Sequence, residues 1–199
     1  MKLWILISGQ RALPKGRLQA AAFDSLAAQL LEGFEAPEGL HPVKQGERRL
    51  LVSPRPAARQ SAALLVPDGE AEDESLLDEL PLRAFGGGAL PGWLWLHRAA
   101  RRAESRKEAA QRAETLLDRL GGEERDCILV THPLFAAIFM DRARLRGFAA
   151  QRSGLGAVRP WERILLSRRN EHCGGCQHNC LLSNPGCPIG RDKAARNSG

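Results

Sequence analysis

The densest chemistry in the chain lies near its C-terminus. Cys173, Cys176, Cys180 and Cys187 follow the spacing Cys-x2-Cys-x3-Cys-x6-Cys. Four thiolates within so short a span close easily around one tetrahedral metal centre. No export signal is legible, so a metal is expected before disulfides. Gly174 and Gly175 let the backbone fold tightly, and Pro185-Gly186 turns it back toward Cys187. The donor set suits structural zinc. It also suits an iron–sulfur cluster, and Pro188 after the last cysteine is a feature of ferredoxin runs. The choice between zinc and iron–sulfur stays open. His172 and His178 are not needed as ligands once four cysteines are present.

A second set of reactive side chains sits at the ends of apolar runs. Ser8 follows MKLWILI, Ser53 follows RLLV, and His132 follows CILVT. Glu79 closes a Leu-Asp-Glu triplet, and Arg11, Arg55 and Arg59 stand close to the two serines in sequence. Ser8 with His132 and an acid is a weak hydrolase triad, because no Gly-x-Ser-x-Gly elbow is present. Gly86-Gly87-Gly88 lacks the Lys-Ser/Thr of a phosphate loop and reads as a flexible loop. Trp93, Trp95 and His97 read as packing beneath that loop more readily than as a pocket mouth. Cys127, inside an apolar run, reads as an inert small hydrophobe.

These groups need a scaffold, and the pattern supplies one. Lys2–Ser8, Arg49–Ser53 and Asp126–Thr131 are short apolar runs of the kind that form buried parallel strands. Trp161–Leu166 is expected as a final strand. Between them, Leu18, Ala22, Leu26 and Leu30 recur at helical spacing, with Gly33 as a stop. Pro56 opens a helix over Ala57–Leu65. The strongest helix runs from Ala100 to Leu120 and is expected to end at Gly121-Gly122. Another helix starts at Pro133. Residues 67–75 and 85–92 are expected as an acidic loop and a glycine-rich loop. Strands alternating with helices imply an α/β layer fold over residues 1–166. A Cys-rich segment follows over 167–199.

Composition narrows the class. The 199 residues are 43% hydrophobic and 26% charged, which excludes wholesale disorder. No apolar run reaches about 18 residues, so no membrane span and no membrane partner are expected. Met1–Ser8 is too short for a signal peptide, and a cytoplasmic protein is expected. The net charge of +6 is uneven. Residues 1–140 hold 18 Lys and Arg against 19 Asp and Glu, whereas residues 141–199 hold 11 against 4. The basic end could meet nucleic acid, but Tyr is absent and aromatic platforms are few there, so nucleic acid is not expected. A protein partner for the Cys-rich segment fits better.

Taken in order, Met1–Gln10, Ser53–Ala62, Leu77–Glu79, Glu104-Ser105 with Arg112, and Ile128–His132 are similar to the motif series of the histidine phosphatase superfamily, which includes the phosphoglycerate mutases. The resemblance covers roughly residues 1–166 and implies a three-layer α/β/α sandwich. In that family a neutral histidine attacks phosphorus, arginines and a second histidine hold the phosphoryl oxygens, and a carboxylic acid protonates the leaving group. Here the motif arginine is Ile7, the nucleophilic histidine is Ser8, and an expected arginine is Ala57. His132 and Glu79 remain. Losing a covalent nucleophile costs on the order of 4–8 kcal/mol of barrier. The resemblance therefore implies a catalytically degenerate phosphatase-like protein that binds a phosphorylated or other anionic ligand near Ser8, Ser53, His132, Arg11, Arg55 and Arg59. A working phosphomonoesterase is the alternative, and a nucleic-acid binder acting through the basic end is the third reading.

Overall fold

Apolar side chains on both sides of a strand leave it no solvent face, so such strands collect at the centre of a sheet. The structure, a computed structural model, describes residues 1–168 apart from 12, 35, 102, 124 and 153–155. Three central strands are the apolar runs: β1 (Lys2–Ile7), β3 (Arg49–Val52) and β6 (Cys127–Thr131). They pair in parallel in the order β3-β6-β1. A short strand β4 (Ala71–Asp73) adds in parallel beyond β3. On the other side β8 (Arg163–Arg168) runs antiparallel to β1, and β7 (Phe148–Arg152) closes that edge. The six-stranded order is β4-β3-β6-β1-β8-β7. This is a mixed α/β fold on a mostly parallel sheet.

Helices cover both faces. Leu6, Leu50, Val52, Ile128 and Val130 point toward α2 (Pro56–Leu65), where they meet Ala58, Ala62 and Leu65. The alternate residues Leu3, Ile5, Ile7, Leu51 and Leu129 face α4 (Ala103–Glu123) and α5 (Pro133–Leu145). Ala109, Ala113, Leu116, Leu117 and Leu120 form the buried stripe of α4. This two-sided burial follows from the period-2 alternation of strand side chains.

A third, smaller core stands apart. Helix α1 (Ala20–Gln29), the antiparallel pair β2 (Arg17–Gln19) and β5 (Ala89–Pro91), and α3 (Gly92–Ala100) enclose Phe23, Ala27 and Trp95. The Phe23 and Trp95 rings stack with centroids 5.8 Å apart, and Trp95 Nε1 donates to the carbonyl of Leu18. Three fully buried residues make a thin core, so one indole carries much of it. Trp95→Ala is expected to cost about 3–5 kcal/mol. Hydrogen exchange should show α1 and α3 opening while β1 and β6 stay protected. Uniform loss of protection across the sheet would mean that this module has no core of its own.

Several sequence expectations are corrected. The helix face read from Leu18, Ala22, Leu26 and Leu30 is rotated: Phe23, Ala27 and Leu30 are buried, Ala22 is exposed, and Leu18 belongs to β2. Stacking against Trp95 decides this. Helix α4 does not end at Gly121-Gly122 but runs through them to Glu123. The acidic loop 67–75 contains β4, an edge strand whose Glu72 pairs with Arg49. The glycine-rich loop stops at Gly88, before β5. The last strand lies two residues beyond its expected place and ends at Arg168. Strand β7 was not expected: its Ala-Ala centre carries little β signal, and pairing with β8 makes it.

Candidate functional site

Strand register alone brings three polar residues together. Ile7 pairs with Thr131 and Val52 with Val130, so the next residues, Ser8, His132 and Ser53, meet at the C-terminal ends of adjacent parallel strands. Ligand sites of open α/β sheets form at such ends. Ser8 N–H donates to the carbonyl of Thr131 at 2.8 Å, and Ser53 N–H to that of Val130 at 3.0 Å. Pro56 and Pro133 then turn the chain into α2 and α5, with no N–H lost from either helix ladder.

The imidazole of His132 lies between two hydroxyls. Ser8 Oγ is 2.8 Å from Nδ1, and Ser53 Oγ is 3.0 Å from Nε2. A neutral imidazole has one donor and one acceptor nitrogen, so one serine gives a proton to the ring and the other receives one. Ser8, Ser53 and His132 are each 0% exposed. Burial holds the imidazole neutral, with its pKa pushed down to about 4. Asp78 and Arg55 act on the ring in opposite directions.

Two aromatic rings cover Gly9, the residue after Ser8. Its N–H donates to Ser61 Oγ at 2.9 Å, and its Cα lies under Phe34 and Trp161. A Cβ there would sit 2.7 Å from the Phe34 ring, so only glycine fits. The two rings meet edge to face at 4.7 Å. Trp161 holds φ at 66°, a left-handed conformation that bulky residues rarely adopt and that costs about 1–3 kcal/mol. Its N–H donates to the carbonyl of Ile7, which ties the covering loop to β1.

Glu79 lies on the other side of the α5 N-terminus. Its carboxyl accepts from Leu80 N, Leu134 N and Phe135 N, at 2.9, 3.2 and 2.9 Å. It therefore caps α5, whose positive dipole end favours an anion. Burial nevertheless raises its pKa to about 7, against those bonds and the charge of Arg112. Arg112 donates to the carbonyls of Leu76 and Asp78 and lies 4.9 Å over the Phe135 ring. Both carboxyl oxygens of Glu79 are engaged by backbone amides. In this geometry the residue positions α5.

The arginines divide. Arg55 forms a two-pronged pair with Asp78, at 2.7 and 2.9 Å, and its backbone N–H lies 3.4 Å from Ser53 Oγ. It is the arginine nearest the cluster. Arg59, one turn along α2, pairs with Asp73 on β4 instead. Arg11 is exposed in the segment leading to β2. Ile7 and Ala57 are fully buried, and Ile7 packs in the core under α5. Asp78, the middle residue of the Leu-Asp-Glu triplet, joins the site through its two-pronged contact with Arg55, which the sequence does not show. Ser61 lies within the Ser53–Ala62 segment, but its bond to the Gly9 amide depends on the fold. Trp95 packs as expected, whereas Trp93 does not: it is 66% exposed.

Cys173, Cys176, Cys180 and Cys187 lie outside the described residues. Among the described residues, no group of three or more His, Cys, Asp or Glu is arranged to hold a metal, and no helix is long and apolar enough to cross a membrane. No family model matches the chain, and no curated protein matches it.

Proposed function

We propose that residues 1–166 form a histidine phosphatase-like domain, of the phosphoglycerate mutase type, that no longer hydrolyses phosphomonoesters and acts by binding. One observation carries this reading: both nitrogens of His132 are taken by Ser8 and Ser53, and all three residues are sealed from solvent. A phosphoryl group needs those hydrogen bonds, a cationic clamp and an open path. The chain supplies hydroxyls, an isoleucine and two rings over Gly9. An anionic or phosphorylated ligand would meet Arg55 at the rim, where ligand oxygens replace those of Asp78 in a matching two-pronged geometry. The four cysteines beyond the domain would hold one metal centre, zinc or iron–sulfur, as a regulatory or protein-interaction element.

A second reading has one observation in its favour. Ser8 Oγ lies 2.8 Å from a neutral imidazole, which is the arrangement of a serine and its general base. Steady-state assays with p-nitrophenyl phosphate separate the two. Wild type should show no turnover above background, and Ser8→His alone should restore none, because Ile7 and Ala57 leave the phosphate unclamped. Robust hydrolysis that disappears in His132→Ala would establish an active phosphatase and end the first reading. Binding is checked by titrating inorganic phosphate: Arg55→Ala should weaken it about tenfold or more.

A further inference from the structure

Several cations on the sheet domain pair with acids, although Lys2, Lys44, Lys107, Arg125, Arg159 and Arg163 have no ion-pair partner among the described residues. Arg49 meets Glu72 and Glu123, Arg146 meets Glu114 and Asp118, and Arg152 meets Glu162. The small module around Trp95 is built differently. Residues 10–19 and 80–101 contain no Asp or Glu. Arg11, Lys15, Arg17, Arg83, Arg98 and Arg101 are all exposed, and none has an ion-pair partner among the described residues. Asp24 of α1 is occupied by the amide of Ala84.

Tertiary pairing draws these two segments into one surface. β2 pairs with β5, placing Arg17 opposite Pro91, and α3 starts immediately afterwards. Trp93, in the first turn of α3, is the most exposed aromatic side chain among the described residues. His97, one helical turn on, is exposed on the same face. Leu13, Leu90 and Leu94 are half-buried. A large exposed ring, half-buried leucines and six exposed cations without ion-pair partners, one of them (Arg98) lying over the Trp95 ring, therefore belong to one small module.

We propose that this module is a peripheral docking surface for an anionic lipid bilayer. Each Lys or Arg near such a surface is attracted by the leaflet's negative potential, and a Trp ring settles at the headgroup level. Charge and an apolar anchor are the two signals that peripheral adhesion needs. With nine residues, α3 is far too short to span, so contact is interfacial. Single-stranded nucleic acid fits less well. Its bases stack on successive ring faces, whereas this module exposes a single large ring beside half-buried leucines.

The test uses the full chain and co-sedimentation with vesicles. Equal parts of phosphatidylcholine and phosphatidylglycerol should bind it, with a blue shift of tryptophan emission, and raised salt should release it. Phosphatidylcholine alone should not bind. Trp93→Ala should weaken partitioning about tenfold. Lys15→Ala and Arg17→Ala should each weaken it about fivefold. These side chains are exposed and unpaired, so unchanged circular dichroism is expected. Three results would overturn the proposal. The first is no binding to the mixed vesicles at low salt. The second is binding that all three substitutions leave unchanged, which assigns it to the basic residues beyond 168. The third is a single-stranded RNA oligomer held more tightly than vesicles through the same three residues.

Discussion

Glu79→Gln and His132→Gln are expected to tilt the pH dependence of stability in opposite directions. Glu79 has its pKa raised from 4.5 to about 7, so the folded state holds a proton there that the unfolded chain releases. Its contribution is fully present below pH 4.5 and is lost as pH rises toward 7. His132 is the reverse, lowered from 6.5 to about 4. Its contribution is fully present above pH 6.5 and is lost as pH falls toward 4. Each shift corresponds to roughly 3 kcal/mol, and in the wild type the two nearly cancel where the windows overlap. Removing Glu79 leaves the histidine limb alone, so Glu79→Gln should gain stability relative to wild type as pH rises through the window. His132→Gln should lose it. Urea midpoints across that pH range, each referred to wild type, read this directly. Parallel wild-type and Glu79→Gln curves would show that Glu79 does not titrate there.

Chelation is expected to act on the other end of the chain and spare the domain. Residues 169–199, beyond β8, hold few large apolar side chains, chiefly Leu181, Leu182 and Ile189. Ordering about thirty residues costs roughly 1–2 kcal/mol each, which so little apolar surface does not offset. A metal held by Cys173, Cys176, Cys180 and Cys187 would contribute on the order of 10 kcal/mol of local folding free energy. A strong chelator should therefore make this segment protease-sensitive while residues 1–166 keep their cooperative unfolding. Anaerobic purification identifies the centre: brown protein with iron and sulfide means a cluster, and colourless protein with zinc means a structural site. Finding neither metal, with protease sensitivity unchanged in Cys→Ser variants, would end the metal reading.

Some of this was determined by residue order alone. Three charge-poor apolar runs, each followed by a polar residue, form the middle of a parallel sheet because no other placement hides both strand faces. Ser8, Ser53 and His132 then meet because neighbouring parallel strands end level. Other features had no local signal, because they depend on contacts between residues far apart in sequence. The buried face of α1 was misread by one position: the spacing of leucines is local, but Phe23 is chosen by Trp95, more than seventy residues away. Glu79 was legible as an acid, yet its capping of α5 depends on where Pro133 turns the chain. Charge counts showed residues 1–140 nearly neutral. Only the fold decides which of those charges pair, as Arg49 does with Glu72 and Glu123, and leaves the module that carries Trp93 with cations lacking acid partners, because ion pairs form between neighbours in space.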